Sequence, residues 1–242
     1  NIQVTAVDLE RLPEKTLEDG EIRDAEKLRD ALSKIMARQV GDREKVDIVA
    51  GINSASGVLV DKLTVKVPKN GNEDAIIVQT AQARPPFDDQ DNILDYQVYD
   101  RQEGEIKVNI VAAKNAMLDS WAGLYKDADI RLNAIDVDVF ALANVYMSSV
   151  EEEEKKKTVA IFNIGEKKAS IVFLMEGFFH STRALTSGSM ESVINMLCRH
   201  LGIDAVKCHE MFESEKPVMI DGFSEADVES AMQLAFEEVV GA

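Results

Sequence analysis

Between residues 158 and 185 the chain crosses three short apolar-rich segments, 158–164, 169–175 and 178–185. The connections between them are only Gly165-Glu-Lys-Lys168 and Glu176-Gly177. Loops this short close antiparallel hairpins, whereas a parallel crossover needs a dozen or more residues. Three strands in meander order are therefore expected, and the rest of the chain has to be built around them.

Upstream, strand and helix periods alternate. Ile2-Gln-Val-Thr-Ala-Val-Asp-Leu9 alternates apolar and polar residues, which predicts a half-buried strand. A loop through Pro13 and Gly20 follows. Ala25, Leu28, Leu32, Ile35 and Met36 recur at helical spacing, so residues 24–39 read as an amphipathic helix capped by Asp24. The apolar run 46–52 reads as a strand buried on both faces. Then come a strand (58–67), a helix (72–83) and two strands (93–101 and 106–112), punctuated by Pro68-Lys-Asn-Gly71, Pro85-Pro86 and Gln102-Glu-Gly104. That block is an α+β unit inserted in an otherwise α/β alternation, which resumes as helix (114–126), strand (130–136) and helix (139–147).

Residues 151–157, EEEEKKK, are a sharp break in composition. They read as a solvated helix end laced by i,i+3 and i,i+4 ion pairs, and as the boundary between two lobes. Beyond the meander, Met190, Val193, Ile194, Leu197, Cys198 and Leu201 trace one face of a helix. Ser224 and Asp227 open a last helix, running to Val240, in the manner of a capping box.

With 242 residues, 45% of them hydrophobic, the chain can bury one large core or two small ones. Lys plus Arg is 27 and Asp plus Glu is 44, so the formal charge is 27 − 44 = −17. That balance argues against nucleic acid and against docking on an anionic membrane surface. The longest apolar runs, 161–164 and 171–175, fall far short of the roughly 20 residues that span a bilayer, and no signal-peptide pattern is present. Cys198 and Cys208 make no disulfide framework, and the nine residues between them match no metal site. A reducing compartment is expected, with Cys198 a core residue on its helix face. The chain starts at Asn1 without an initiator Met, inside the expected strand, and is expected to be a piece of something longer.

Familiar catalytic constellations are absent. His180, His200 and His209 are scattered, and neither a G-x-S-x-G, a P-loop nor a G-x-G-x-x-G occurs. Asp136-Val-Asp138 admits a carboxylate pair for Mg²⁺ or, as favoured here, a strand end plus a helix cap. Arg183 reads as half of a structural ion pair. The informative stretch is residues 159–174. A buried strand, a tight Gly turn and a returning strand can present backbone N–H groups to a phosphate. In such a hairpin an Asp at the first strand's end holds a metal-bound water, and hydroxyls after the turn touch phosphates. Here Asn163 stands at the Asp place, and the turn carries Lys167 and Lys168.

An ordered series of segments spans nearly the whole chain: Glu18-Asp-Gly-Glu-Ile-Arg-Asp24, Ala83-Arg-Pro-Pro-Phe-Asp88, Leu94-Asp-Tyr-Gln-Val98 and Asn109-Ile-Val-Ala-Ala-Lys114. It continues with Ile135-Asp-Val-Asp-Val-Phe-Ala-Leu-Ala-Asn144, Gly177 to Arg183 with Ser187-Gly188, and Leu201-Gly-Ile-Asp204. In order and spacing it resembles the PilM family of type IV pilus assembly, actin-like cytoplasmic proteins similar to the cell-division protein FtsA. Residues 113–144 carry the resemblance most strongly.

The resemblance implies an α/β, actin-like fold with ribonuclease-H-like lobes and a small inserted α+β subdomain. Residues 1–57 and 113–150 would form the first lobe, 58–112 the inserted subdomain, and 151–242 a truncated second lobe. It also implies that a Gly-rich phosphate hairpin lies just before Asn1 and an adenine-side Gly pair just after Ala242. The nucleotide site would include Asn163, Gly165, Ser170, Gly188 and Ser189, and it departs from pattern. Asn163 replaces an Asp, Ala169 a Thr, and Ser187-Gly188-Ser189 a Gly-Gly-Asn/Asp turn. His209 and Phe212 lie where a Glu and a Lys flank the nucleoside. Weak or absent ATP binding, no resident cofactor or Mg²⁺, and no meaningful turnover are expected.

By the same resemblance the chain would be a cytoplasmic scaffold at the inner membrane, reaching it through protein partners. A groove between the inserted subdomain and the neighbouring lobe would hold the N-terminal tail of a PilN-type bitopic protein, lined by Ile76, Ile77, Thr80, Tyr96 and Val98. An extended peptide there would add to a strand edge, with the same five residues alternatively forming the subdomain's own core. The pilus motor ATPase is a further partner the resemblance allows. The alternatives are an active actin-superfamily ATPase, or the cytoplasmic domain of a GspL- or MshI-type protein.

Overall fold

A computed structural model of the chain describes residues 3–40, 46–185, 188–214 and 219–241. Two compact units result: Asn1–Val159 with Phe173–Ser181, and Ala160–Val172 with Thr182–Ala242.

The first unit opens irregularly. The strand expected at the start is absent over the described residues 3–13 (Ile2 lies outside them), and Val4, Val7 and Leu9 are 75%, 86% and 80% exposed. Alternation makes a strand only where a neighbour takes up its backbone groups, and no described strand pairs here. Side chains anchor the segment instead. From the helix α1 (Ala25–Gln39), Arg38 Nε donates to Asp8 Oδ2 at 2.7 Å, and Lys34 Nζ donates to Glu10 Oε1 at 3.1 Å. The expected loop through Gly20 contains a small hairpin, β1 (Leu17–Glu18) and β2 (Glu21–Ile22). Its two-residue turn, Asp19-Gly20, has φ of 50° and 82°. Positive φ at both positions is the turn that Asp-Gly favours.

Helix α1 starts where Asp24 accepts the Lys27 N–H at 3.1 Å. Strand β3 (Ile48–Ile52) pairs in parallel with β7 (Leu132–Val137), and helix α3 (Asn115–Asp127) lies between them in sequence. Met36, Ala50, Tyr125, Ala128 and Ile130 close the core they share with α1. The sequence predicted β3 buried on both faces, but Val49 is 56% exposed. Its two-stranded sheet packs that cluster against one face only.

Within the first unit, the segment expected to be an inserted subdomain holds β4 (Val58–Lys66), α2 (Glu73–Gln82), β5 (Asn92–Gln102) and β6 (Glu105–Lys114). The sheet order is β4-β6-β5, antiparallel throughout, with β6 central and β4 and β5 outermost among the described residues. Asn72 caps α2, which packs Ile77 and Ala81 onto Leu63, Val65, Val108 and Ile110. Apolar residues on successive helical turns thus meet one face of a pleated sheet.

After α4 (Asp138–Ser149), the Glu/Lys run forms a single helical turn, α5 (Glu152–Lys155). Its i,i+3 pairs close as expected, Lys155 to Glu152 at 2.6 Å and Lys156 to Glu153 at 2.9 Å. The strands β8 (Val159–Ile164), β9 (Ala169–Met175) and β10 (Phe178–Leu185) then form a sheet in the predicted meander order.

The second unit carries α6 (Met190–Leu201), α7 (Ala205–Glu213) and α8 (Glu225–Gly241) around Val193, Leu197, Cys208, Ile220 and Ala235. Ser224 and Asp227 make the reciprocal cap, with the Ser224 N–H donating to Asp227 at 2.8 Å. Helix α7, capped by Asp204, has no counterpart in the sequence reading.

Candidate nucleotide hairpin and peptide groove

The hairpin turn is set by glycine. Gly165 N–H donates to the Lys168 carbonyl at 3.0 Å, and a Cβ at Gly165 would stand only 2.8 Å from that oxygen. The returning N–H groups come from the start of α6. Met190 N–H donates to Gly165 O at 3.0 Å, and Glu191 N–H donates to Glu166 O at 2.8 Å. Ser189 caps the same helix, its Oγ accepting the Ser192 N–H at 3.3 Å. A helix's first turn has N–H groups with no intrahelical partner, and these are what an anion uses. In this helix the turn's own carbonyls and the Ser189 hydroxyl take them.

Of the five residues assigned to the nucleotide site, Gly165 and Ser189 are joined through this contact. Gly188 belongs with them, since a Cβ there would meet the Leu185 Cβ at 2.7 Å and the Ala169 Cβ at 3.2 Å. Ser187 lies outside the described residues. Asn163 is half-buried on β8, and Ser170 is buried on β9 with no described partner for its Oγ. The Asn163 amide and the Ser170 hydroxyl can hydrogen-bond a phosphate. The amide at position 163 lacks the negative charge that holds a hydrated Mg²⁺, and no cluster of three or more acidic, His or Cys side chains occurs among the described residues. His209 and Phe212 are both on α7. The His209 ring contacts the Ala205 carbonyl through Nδ1 at 2.7 Å, while Phe212 meets Phe236 edge-on at 6.4 Å.

Asp138 opens α4 rather than preceding it. Its Oδ1 accepts the N–H groups of Ser54 and Val139, both at 2.8 Å, tying the loop after β3 to α4. That geometry serves the strand-end-and-helix-start alternative, with the cap position itself taken by Val137. Arg183 is exposed and forms no ion pair with a described residue. It sits on an edge strand, β10, where its side chain reaches solvent.

The five residues expected to line a groove lie on α2 and β5. Ile77 is 0% exposed, and Ile76, Tyr96 and Val98 pack against the same cluster. Thr80 Oγ1 donates back to the Ile76 carbonyl at 2.6 Å. The Tyr96 hydroxyl donates to Asp74, and that hydrogen bond, with burial and the carboxylate's charge, pushes the phenol up to about 12. Arg101 grips Glu73 through two bonds of 2.8 Å and lowers its pKa. The first turn of α2 is thereby fastened to β5.

One cluster escaped the sequence reading. Lys62 Nζ lies 4.8 Å above the Tyr99 ring and 3.5 Å from His180 Nδ1, and Tyr99 meets Phe178 at 5.7 Å. Burial, with Lys107 nearby, lowers the Lys62 pKa, and burial raises that of Tyr99. Nothing periodic links positions so far apart in sequence, so no local signal could have found them.

The family model described as type IV pilus assembly protein PilM matches residues 1–207. Among solved structures, the PilM–PilN type IV pilus biogenesis complex matches at TM-score 0.71 and 18% identity, covering 95% of this chain and 65% of that one. The chain thus spans just under two thirds of that relative's length. MreB5 of Spiroplasma citri bound to AMPPNP matches at TM-score 0.51 and 11% identity, covering 93% of this chain and 58% of that one. No curated protein matches the sequence. With the family model covering most of its length, the chain belongs to the PilM family of type IV pilus assembly proteins and has the actin-like fold.

Proposed function

We propose that this chain is a cytoplasmic scaffold of pilus assembly that holds the N-terminal tail of a PilN-type membrane protein, and that it does not turn over ATP. The partner is supported by the fold likeness to PilM in a complex with PilN. The docking mode rests on the outer edges of β4 and β5, which pair with no further described strand and where an extended tail can continue the ladder. The observation that carries the loss of turnover is the start of α6, whose N–H groups are consumed by the hairpin and its Ser189 cap. Asn163 in place of a carboxylate points the same way. Among the described residues no helix is long and apolar enough to cross a membrane, in keeping with attachment to the inner membrane through partners. Contact with the pilus motor ATPase belongs to the same scaffold reading.

The test is a titration with a synthetic PilN-type N-terminal peptide, with and without Mg-ATP. Micromolar binding indifferent to ATP is expected. Binding that appears only with ATP would overturn the view of the hairpin, and no binding in either condition would overturn the partner. A second reading, an actin-superfamily ATPase, draws on the buried, unpartnered Ser170 hydroxyl, which suits a phosphate oxygen. ATP hydrolysis by the protein at rates abolished by Ser170→Ala would favour it.

A further inference from the structure

Cys198 on α6 and Cys208 on α7 bring their sulfurs to 3.4 Å. Both are free thiols, and they are the only two in the chain. We propose that this pair is a reversible thiol-oxidation site, closing under a peroxide oxidant to a disulfide that staples α6 to α7. The inference is independent of the pilus reading.

Two features of the pair support it. The sulfurs already touch, and a disulfide needs them ~1.4 Å closer. The two thiols are also unequal. Cys198 is half-buried, whereas Cys208 is 0% exposed and packed among Val193, Leu197 and Ile220. Oxidant from solvent therefore meets Cys198 first. Burial, and Cys198 itself, push the Cys208 thiol up to about 12, so Cys208 is oxidised second and gives up its proton only as it attacks the sulfur beside it. That inequality suits a peroxidatic thiol with a resolving partner beside it.

The chemistry balances in two steps. The Cys198 thiol reacts with hydrogen peroxide, its sulfur taking one oxygen to become a sulfenic acid as one water leaves. The Cys208 thiol then attacks that sulfur. The S–O bond breaks, the sulfur–sulfur bond forms, and the hydroxyl departs with the Cys208 proton as a second water. Two thiols are oxidised by two electrons and one peroxide is reduced. A dithiol reductant reverses the product by exchange. The alternative, that the sulfurs merely fill apolar space between helices, predicts a different product. A thiol without a resolving partner proceeds to sulfinic acid.

Graded hydrogen peroxide applied to the folded full chain, followed by alkylation, intact mass measurement and peptide mapping, distinguishes the two. The expected product has lost two hydrogens, takes up no alkylating agent, yields a cross-linked Cys198–Cys208 peptide, and reverts with dithiothreitol. Cys198→Ser should abolish that product, and circular dichroism checks that this half-buried variant is folded. Accumulation of sulfinic acid at Cys198 with Cys208 still reduced would overturn the proposal. So would disulfides formed only between chains, or cross-linking seen only after unfolding. The mapping of the unmodified chain decides the question even if a serine variant misfolds.

Discussion

Ile77 is fully buried at the centre of α2, against strands β4 and β6. Ile77→Ala removes three carbons from that contact, worth about 2.4 kcal/mol at about 0.8 kcal/mol each. A residual cavity adds about 1 kcal/mol when the site collapses only in part, so the loss should total about 3–4 kcal/mol. Ile77→Val removes one carbon and should cost about 1 kcal/mol. In a unit of this size each kcal/mol lowers the melting temperature by about 2–4 °C. Calorimetry should therefore find Ile77→Ala melting roughly 6–16 °C lower, with Ile77→Val falling about 2–4 °C. Below its own transition the alanine variant should bind a PilN-type peptide like the parent, because the side chain faces α2's own sheet. Equal shifts for the two variants, or none, would refute the packing argument. An unchanged transition together with lost peptide binding would make Ile77 a groove residue.

Two further outcomes follow from charged contacts in the first unit. Arg38, with Gln39, holds the Asp8 carboxyl down at about 2, below its ordinary 3.8. A carboxyl depressed on folding stabilises above its unfolded pKa, and that contribution is lost as pH falls towards about 2. Carboxyl-resolved NMR should place the Asp8 midpoint near 2, with residues 3–13 detaching from α1 over the same window, and a midpoint at the ordinary value would remove this anchor. The Tyr96 phenol, pushed up to about 12 by Asp74, should titrate late in ultraviolet absorbance. Asp74→Asn should bring it back towards 10; no change would mean the two do not bond in solution.

Elements with a local cause were legible in the sequence. Asp24, Asn72 and Ser224 announce helix starts because a short polar side chain can bond a free N–H two or three residues on. The short links of the meander left strand order no freedom. Two misses were local signals passed over: the Asp19-Gly20 pair, a hairpin turn in residue type and spacing, and Asp204, which caps α7 as Asp24 caps α1. Others had no local signal. The Val4, Val7 and Leu9 alternation looked like a strand, but pairing needs a second strand, and that is not written in the segment itself. At the nucleotide hairpin, the change of side chain at position 163 was visible as a letter. The closure of α6 onto the turn was not, because the groups involved are backbone N–H and C=O, which every residue carries.

Helix α6 has twelve residues, a rod about 18 Å long. Two N–H hooks at one end hold the turn between β8 and β9, and the sulfur of Cys198 rests against α7 near the other. A disulfide between the two thiols would pin the rod at its second end, and it could then not slide along its axis without breaking a hook. Strain applied at the α7 end of such a stapled helix would reach Gly165 and Glu166 as displacement. The hairpin and the thiol pair are, mechanically, two ends of one lever.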